Sequence, residues 1–290
     1  MRNQLLAAAL IATLLGAPAH AAATRATVTN GPVTIEVLAE GSGPVLVILP
    51  SLGRDGHDYD AVSARLASQG FRVLRPQPRG MDGSEGPMTG LTLHDYAADV
   101  ARVIEHENAG PVVVVGHAFG NFVGRMLATD RPDLVRGLVM AAASAGKVPA
   151  GDSAPPIAPD VRFAIDHSGD MSLPEAKRLE YLQKAFFAPG HDPHVWLGGW
   201  HPEAQKAESA ATAATPIDAY FAGGHAPILD LQAEDDTVAP RRLSHVLKDA
   251  LGDRVTIVVI PHAGHALAPE QPDAMADAIA AFAKSLPPHG

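Results

Sequence analysis

The chain has 290 residues, 47% of them hydrophobic, with a formal net charge of -10 and no cysteine. That length and apolar content suffice for one large domain with a well-buried core, and they do not require two. The lack of cysteine excludes thiol chemistry, disulfides and zinc–thiolate sites, and the acidic balance argues against nucleic acid as a partner.

Met1 to Ala21 has the three parts of a secretory signal peptide: basic Arg2, an apolar centre from Leu5 to Leu15, and small residues at Ala19-His20-Ala21. Cleavage after Ala21 would place the protein in the periplasm or outside the cell. The apolar centre is too short for a membrane span of about 20 residues, and no other stretch qualifies. An uncleaved N-terminal anchor is the alternative reading of this segment.

Apolar runs suited to buried strands then recur at Val33–Leu38, Val45–Leu49, Phe71–Leu74, Val112–Val115, Leu134–Met140, Pro227–Leu231 and Val255–Ile260. Helical patterns lie between them. Asp58 to Gln69 carries Tyr59, Val62, Leu66 and Ala67 at helical spacing, and Leu93 to Glu107 carries Tyr96, Val100, Val103 and Ile104. Thr92 suits an N-cap, and Pro272-Asp273 opens a last helix through Met275, Ile279 and Phe282. Strands alternating with helices predict an α/β fold: a mainly parallel sheet with helices on both faces. From about Gly146 to Ala226 the alternation stops. That segment holds Phe163, Tyr181, Phe186, Phe187, Trp196, Trp200, Tyr220 and Phe221, although aromatics are only 5% of the chain. An insertion over the sheet is expected, its aromatics either lining a pocket as a lid or forming a small core of their own.

Gly116-His117-Ala118-Phe119-Gly120 follows the Val112–Val115 run directly and passes into a helical pattern. Strand, sharp turn and helix in that order describe a nucleophile elbow, whose flanking glycines leave room for a strained central residue. The central residue here is alanine. A methyl group cannot attack a carbonyl, so a covalent acyl-enzyme route through position 118 is excluded. Downstream, Leu229 to Pro240 reads as a strand and an acidic turn containing Asp235 and Asp236, and Val258 to His265 as a strand ending in Gly264-His265.

Elbow, acid and histidine in this order resemble the α/β-hydrolase superfamily from about residue 33 to the C-terminus. Pro78-Arg79-Gly80-Met81-Asp82-Gly83-Ser84 is similar to the family's Arg-Gly-x-Gly-x-Ser loop. Pro50-Ser51-Leu52-Gly53 occupies the place of its His-Gly oxyanion loop, with Pro50 where a histidine is usual. The resemblance implies an eight-stranded-type sheet with a small helical cap at about 147–225. By the same likeness His265 is the general base, and Asp236 the acid that orients it, with Asp235 as a substitute. The backbone N–H groups of Leu52 and Phe119 would form the oxyanion hole. Ser51 and His117 are the polar neighbours expected at the pocket, together with Trp196 and Trp200. Ser51 is also a replacement nucleophile to be weighed, while His117 suits a supporting role.

No cofactor is expected. Gly41-Ser42-Gly43 lacks the third glycine of a dinucleotide loop, and His191, His194 and His201 have no ligand spacing that would make a metal site. Three readings of function follow, all with a small molecule as partner. The first is a hydrolase, esterase-like or of C–C/lyase type, acting on a small apolar molecule through water activated by Asp236 and His265 or through direct base chemistry. The second is a non-catalytic pseudo-hydrolase that binds a small molecule, and the third a serine esterase inactivated by alanine at position 118. Nothing in the sequence signals an oligomeric state.

Overall fold

The computed structural model describes residues 23–287, so the expected signal peptide lies outside the described residues. Eight strands form one sheet. In chain order they are β1 (Thr24–Asn30), β2 (Val33–Gly41), β3 (Val45–Leu49), β4 (Arg72–Pro76), β5 (Val112–His117), β6 (Val135–Ala141), β7 (Ile228–Ala233) and β8 (Val255–Ile260). Their spatial order is β1-β2-β4-β3-β5-β6-β7-β8. The pairs β1/β2 and β2/β4 are antiparallel, and every other pair is parallel.

Seven strands coincide with the apolar runs, because a strand covered on both faces needs apolar side chains pointing both ways. In β5, Val112 and Val114 pack into one core and Val113 and Val115 into the other, the two-residue alternation of a pleated strand. Strand β1 has no such run. It lies at the sheet's edge with Val28 its only buried residue, so it needs backbone pairing and little hydrophobicity. Strand β4 runs past its apolar stretch through Arg75. That side chain is buried and held by Glu40 at 3.0 Å and by the carbonyl of Gly56 at 2.8 Å, which offsets its desolvation.

Helices α1 (Asp60–Ser68) and α2 (Leu93–His106) pack on the first half of the sheet, and α3 (Phe119–Asp130) on β3, β5 and β6. Thr92 caps α2 with its own hydroxyl and N–H donating to the Asp95 carboxylate, both at 2.8 Å. Four helices separate β6 from β7: α4 (Pro159–Ser168), α5 (Glu175–Ala185), α6 (Pro202–Ala214) and α7 (Ile217–Tyr220). The chain closes with α8 (Val246–Leu251), α9 (Leu267–Glu270) and α10 (Pro272–Ser285). Residues of α2, α3 and α8 share one core with the sheet, and those of α1, α9 and α10 the other. Val161, Ile165, Leu182, Phe186, Phe187 and Trp196 form a third, smaller core among the inserted helices, closed below by Ala266. Among the described residues, no helix is long and apolar enough to cross a membrane.

Candidate active site

At the C-terminal end of β5 the chain turns through Ala118, whose φ of 46° and ψ of -109° are unfavourable for any residue with a Cβ. Neighbouring backbone holds it there. The Ala118 N–H donates to the Ala141 carbonyl at 3.1 Å, and the Gly120 N–H to the Pro50 carbonyl at 3.0 Å. The second bond ties the elbow to the loop after β3 and uses Pro50 through its carbonyl, the one hydrogen-bonding group a proline retains. Both glycines are needed for close approach. A Cβ on Gly116 would lie 2.4 Å from the Gly120 carbonyl oxygen, and one on Gly120 would lie 2.3 Å from that of Leu49. Gly120→Ala is therefore expected to lower stability by roughly 3 kcal/mol, because only backbone could yield. A urea unfolding midpoint equal to that of the parent would contradict this.

The loop after β8 carries His265, and the turn after β7 carries Asp236. Both side chains are buried, with His265 Nδ1 at 3.0 Å from Asp236 Oδ2 and 3.2 Å from Oδ1. Asp236 Oδ1 also accepts the N–H groups of Val238 and Ala239, each at 2.8 Å, so the carboxylate is fixed before it meets the imidazole. Asp235, the substitute considered from sequence, is exposed, and its N–H donates to the Ala263 carbonyl at 2.8 Å. Glu270 sets the histidine loop by accepting the N–H of Gly264 at 2.6 Å and that of Ala188, in the inserted segment, also at 2.6 Å. Burial raises the pKa of that carboxyl, and the two N–H donors oppose the shift.

His117 is placed differently from expectation. Sequence reasoning expects it at the pocket, whereas it is wholly buried behind the elbow and is not among the residues that line the cavity. Its Nε2 lies 2.7 Å from the His265 carbonyl oxygen, which can only accept, so Nε2 carries the proton. Nδ1 then accepts from the Tyr59 hydroxyl at 2.6 Å, and the Tyr59 oxygen accepts the Ser51 N–H at 3.2 Å. Burial first, and the neighbouring His265 second, push the His117 pKa down to about 3, so the ring is neutral. A neutral imidazole thus links the loop after β3 to the backbone of His265.

These elements surround a cavity of about 380 Å³. Ala118, His265, Asp236, Leu52, Phe119 and Ser51 reach its wall from the sheet edge, and Phe186, Trp196 and Trp200 from the inserted segment. Phe186 sits 5.7 Å from the His265 ring and 5.4 Å from that of Trp196. Trp196 therefore both lines the cavity and belongs to the small core, while Phe163, half exposed, stacks on His167 away from the cavity. Arg54 fixes the tryptophans, its guanidinium 4.7 Å from the Trp196 ring and 4.9 Å from that of Trp200. Among the described residues, neither the Leu52 nor the Phe119 N–H has a hydrogen-bond acceptor, and Phe119 opens α3, where the helix dipole adds positive potential.

The histidines considered for a metal have separate partners: His191 the carbonyl of His262, His194 the carboxylate of Asp192, and His201 that of Asp55. Pro78 to Ser84 proves to be a brace. Ser84 Oγ accepts the Glu36 N–H at 2.8 Å and donates to the Gln77 carbonyl at 2.9 Å, and Arg79 makes a two-pronged pair with Asp99. Gln205 and Ser209 of α6, which line the cavity, and the buried Glu208 on the same helix are not legible as site residues. The one signal is a carboxylate inside the helical stripe Ala204, Ala207, Ala211.

The sequence model of the Alpha/beta hydrolase family matches residues 46–278. A protein of Variovorax paradoxus (strain S110) that bears the name carbamate hydrolase RutD is 30% identical over 244 residues, 81% of this chain and 90% of that protein. A soluble epoxide hydrolase of Corynebacterium sp. (strain C12) is 36% identical over 131 residues, spanning 45% of this chain and 46% of its own length. Among solved structures, an esterase from Exiguobacterium antarcticum superimposes with a TM-score of 0.73 at 19% identity, over 87% of this chain and 96% of that one.

Proposed function

Because the chain belongs to the alpha/beta hydrolase family, we propose that it hydrolyses a small, largely apolar molecule, using water where a serine nucleophile is usual. The observation behind this reading is the buried Asp236–His265 pair at the wall of a cavity that also carries two unpaired amide donors. With its Nδ1–H donated to Asp236, His265 keeps a lone pair on Nε2. That nitrogen removes a proton from a water standing over the Ala118 methyl, and the hydroxide attacks the substrate carbonyl. The charge that develops on the carbonyl oxygen is met by the N–H groups of Leu52 and Phe119. Collapse of the adduct expels the leaving group, which takes the proton back from His265.

Carbamates and esters, the bonds in the names of two relatives, both present such a carbonyl, and aromatic walls at Phe186, Trp196 and Trp200 suit an apolar body attached to it. Loss of one triad member can leave roughly 10³- to 10⁴-fold catalysis over water, so turnover without serine is physically sufficient. The test is a panel of short-chain aryl esters and aryl carbamates with the parent chain and His265→Ala. The variant should lose about 10²-fold or more of the rate, the usual worth of a general base. Equal rates in the two chains would overturn the reading. Direct base chemistry by His265, as in C–C cleavage or a lyase, would give the same loss with a substrate that lacks a hydrolysable bond.

The Ala118 methyl favours a second reading, a binding protein on a hydrolase scaffold. It predicts that ligand is recovered unaltered after long incubation and that His265→Ala leaves turnover, being absent, unaffected.

A further inference from the structure

Helix α6 packs with a stripe of small residues, Ala204, Ala207 and Ala211, in which Glu208 is fully buried. A carboxyl at that position is costly unless its atoms are engaged. One of them is. Glu208 Oε2 accepts the Gly53 N–H at 2.7 Å, across 155 residues of sequence. The same helix start takes the other side of Gly53, because its carbonyl accepts the His201 N–H at 3.0 Å. Gly53 has a φ of +66°, and a Cβ on it would lie 2.8 Å from the Cβ of Gln205, so the turn is pressed against α6 with no slack. The preceding residue is Leu52, whose free N–H belongs to the oxyanion pair of the proposed function.

Resting on that function, we infer that Glu208 is a positioning residue: by gripping the Gly53 N–H from the inserted helix, it fixes the peptide turn that aims the Leu52 N–H at the reacting oxygen. The inserted segment and the oxyanion loop are then one mechanical unit, so what seats against Trp196 and Trp200 is felt at Leu52. Among the described residues, Glu208 Oε1 has no partner, and neither has the hydroxyl of Tyr96, the titratable neighbour on α2, beyond which lies the Arg79–Asp99 pair. Burial raises the Glu208 pKa from 4.5 to about 8 against the opposing pull of the Gly53 bond, so near neutrality it is a carboxylic acid.

The experiment reads the Gly53 and Leu52 amide resonances in ¹⁵N-labelled protein. In the parent chain the Gly53 signal should move with pH with a midpoint near 8, and in Glu208→Gln, whose carbonyl still accepts the bond, it should stay fixed. In Glu208→Leu both amide signals should shift and exchange faster with solvent. Combined with Ala118→Ser, Glu208→Leu should lower kcat for an aryl ester by roughly 10²-fold, the cost of one oxyanion donor, with KM little changed, and Glu208→Gln should keep most of the rate. Folding offers a further readout: native Glu208 binds a proton that the unfolded chain has lost above 4.5, so stability falls as pH rises from 4.5 to about 8, and Glu208→Gln removes that slope.

Unmoved Leu52 and Gly53 signals in Glu208→Leu, or an unchanged kcat, would overturn the inference. Should Glu208→Leu not fold, unmoved Leu52 and Gly53 signals in the smaller Glu208→Ala overturn it equally. If the parent and His265→Ala chains turn over the ester and carbamate panel equally, the hydrolytic reading fails, while the two amide signals still decide whether Glu208 sets Leu52.

Discussion

Ala118→Ser is expected to label covalently with an alkyl fluorophosphonate, seen as an adduct by mass spectrometry, while the parent chain does not. It should also hydrolyse short-chain aryl esters faster by roughly 10³-fold or more, given how much a lone nucleophile contributes once its partners are in place. Position 118 is held at φ 46° and ψ -109° by bonds from its own N–H to Ala141 and from Gly120 to Pro50, and none of these involves its side chain. Strain of this kind costs on the order of 1–3 kcal/mol, and alanine derives no chemistry from it. Serine adds one oxygen to the methyl on the cavity side, where His265 and the Leu52 and Phe119 amides share the wall. Under the proposed function, His265, Asp236 and the Leu52 and Phe119 amides therefore need no rearrangement to serve that oxygen. Absence of labelling, with the variant folded, would mean that the cavity is committed to something other than acyl transfer.

Much of this arrangement can be read in the chain because it rests on steric necessity. Gly116 and Gly120 mark a turn only glycine allows, the valines of β5 mark a strand buried on both faces, and order along the sequence joins Asp236 and His265. The misreadings have equally physical causes. Strand β1 is an edge strand stabilised by backbone pairing, which leaves no hydrophobic trace. His117 was expected at the pocket because its neighbour Ala118 is there, but side chains at the end of a strand alternate in direction, and that of His117 points behind the elbow toward Tyr59. Glu208 depends on a contact 155 residues away, which no local pattern encodes. The aromatic insertion posed a choice between lid and core, and Trp196 does both because the cavity's roof is the face of that small core.

In the Ala118→Ser chain, Asp236→Asn should lower kcat for an aryl ester by roughly 10⁴-fold while the fold and the fluorophosphonate site geometry persist. An amide could in principle turn either edge toward the imidazole, but here its direction is dictated. The position of Oδ1 accepts the N–H groups of Val238 and Ala239 at 2.8 Å each, and an NH₂ group there would face two donors. The carbonyl of the new asparagine must therefore occupy that place. Its NH₂ then takes the place of Oδ2, 3.0 Å from His265 Nδ1, where it can only donate. The NH₂ is the nearer of the two groups, at 3.0 Å against 3.2 Å for the carbonyl, so the tautomer with Nδ1 accepting is favoured and the ring proton moves to Nε2, the nitrogen that should remove a proton from the nucleophile. Rotation of the ring cannot restore the base, because both carboxamide contacts and the buried His265 backbone, held by His117 at 2.7 Å, fix its setting. Hydroxide supplied from solvent would bypass the blocked base, so activity in this variant should rise with pH well beyond neutrality rather than level off. A pH profile unchanged from that of the Ala118→Ser parent, at a rate within tenfold of it, would show that Asp236 does not set the tautomer of His265.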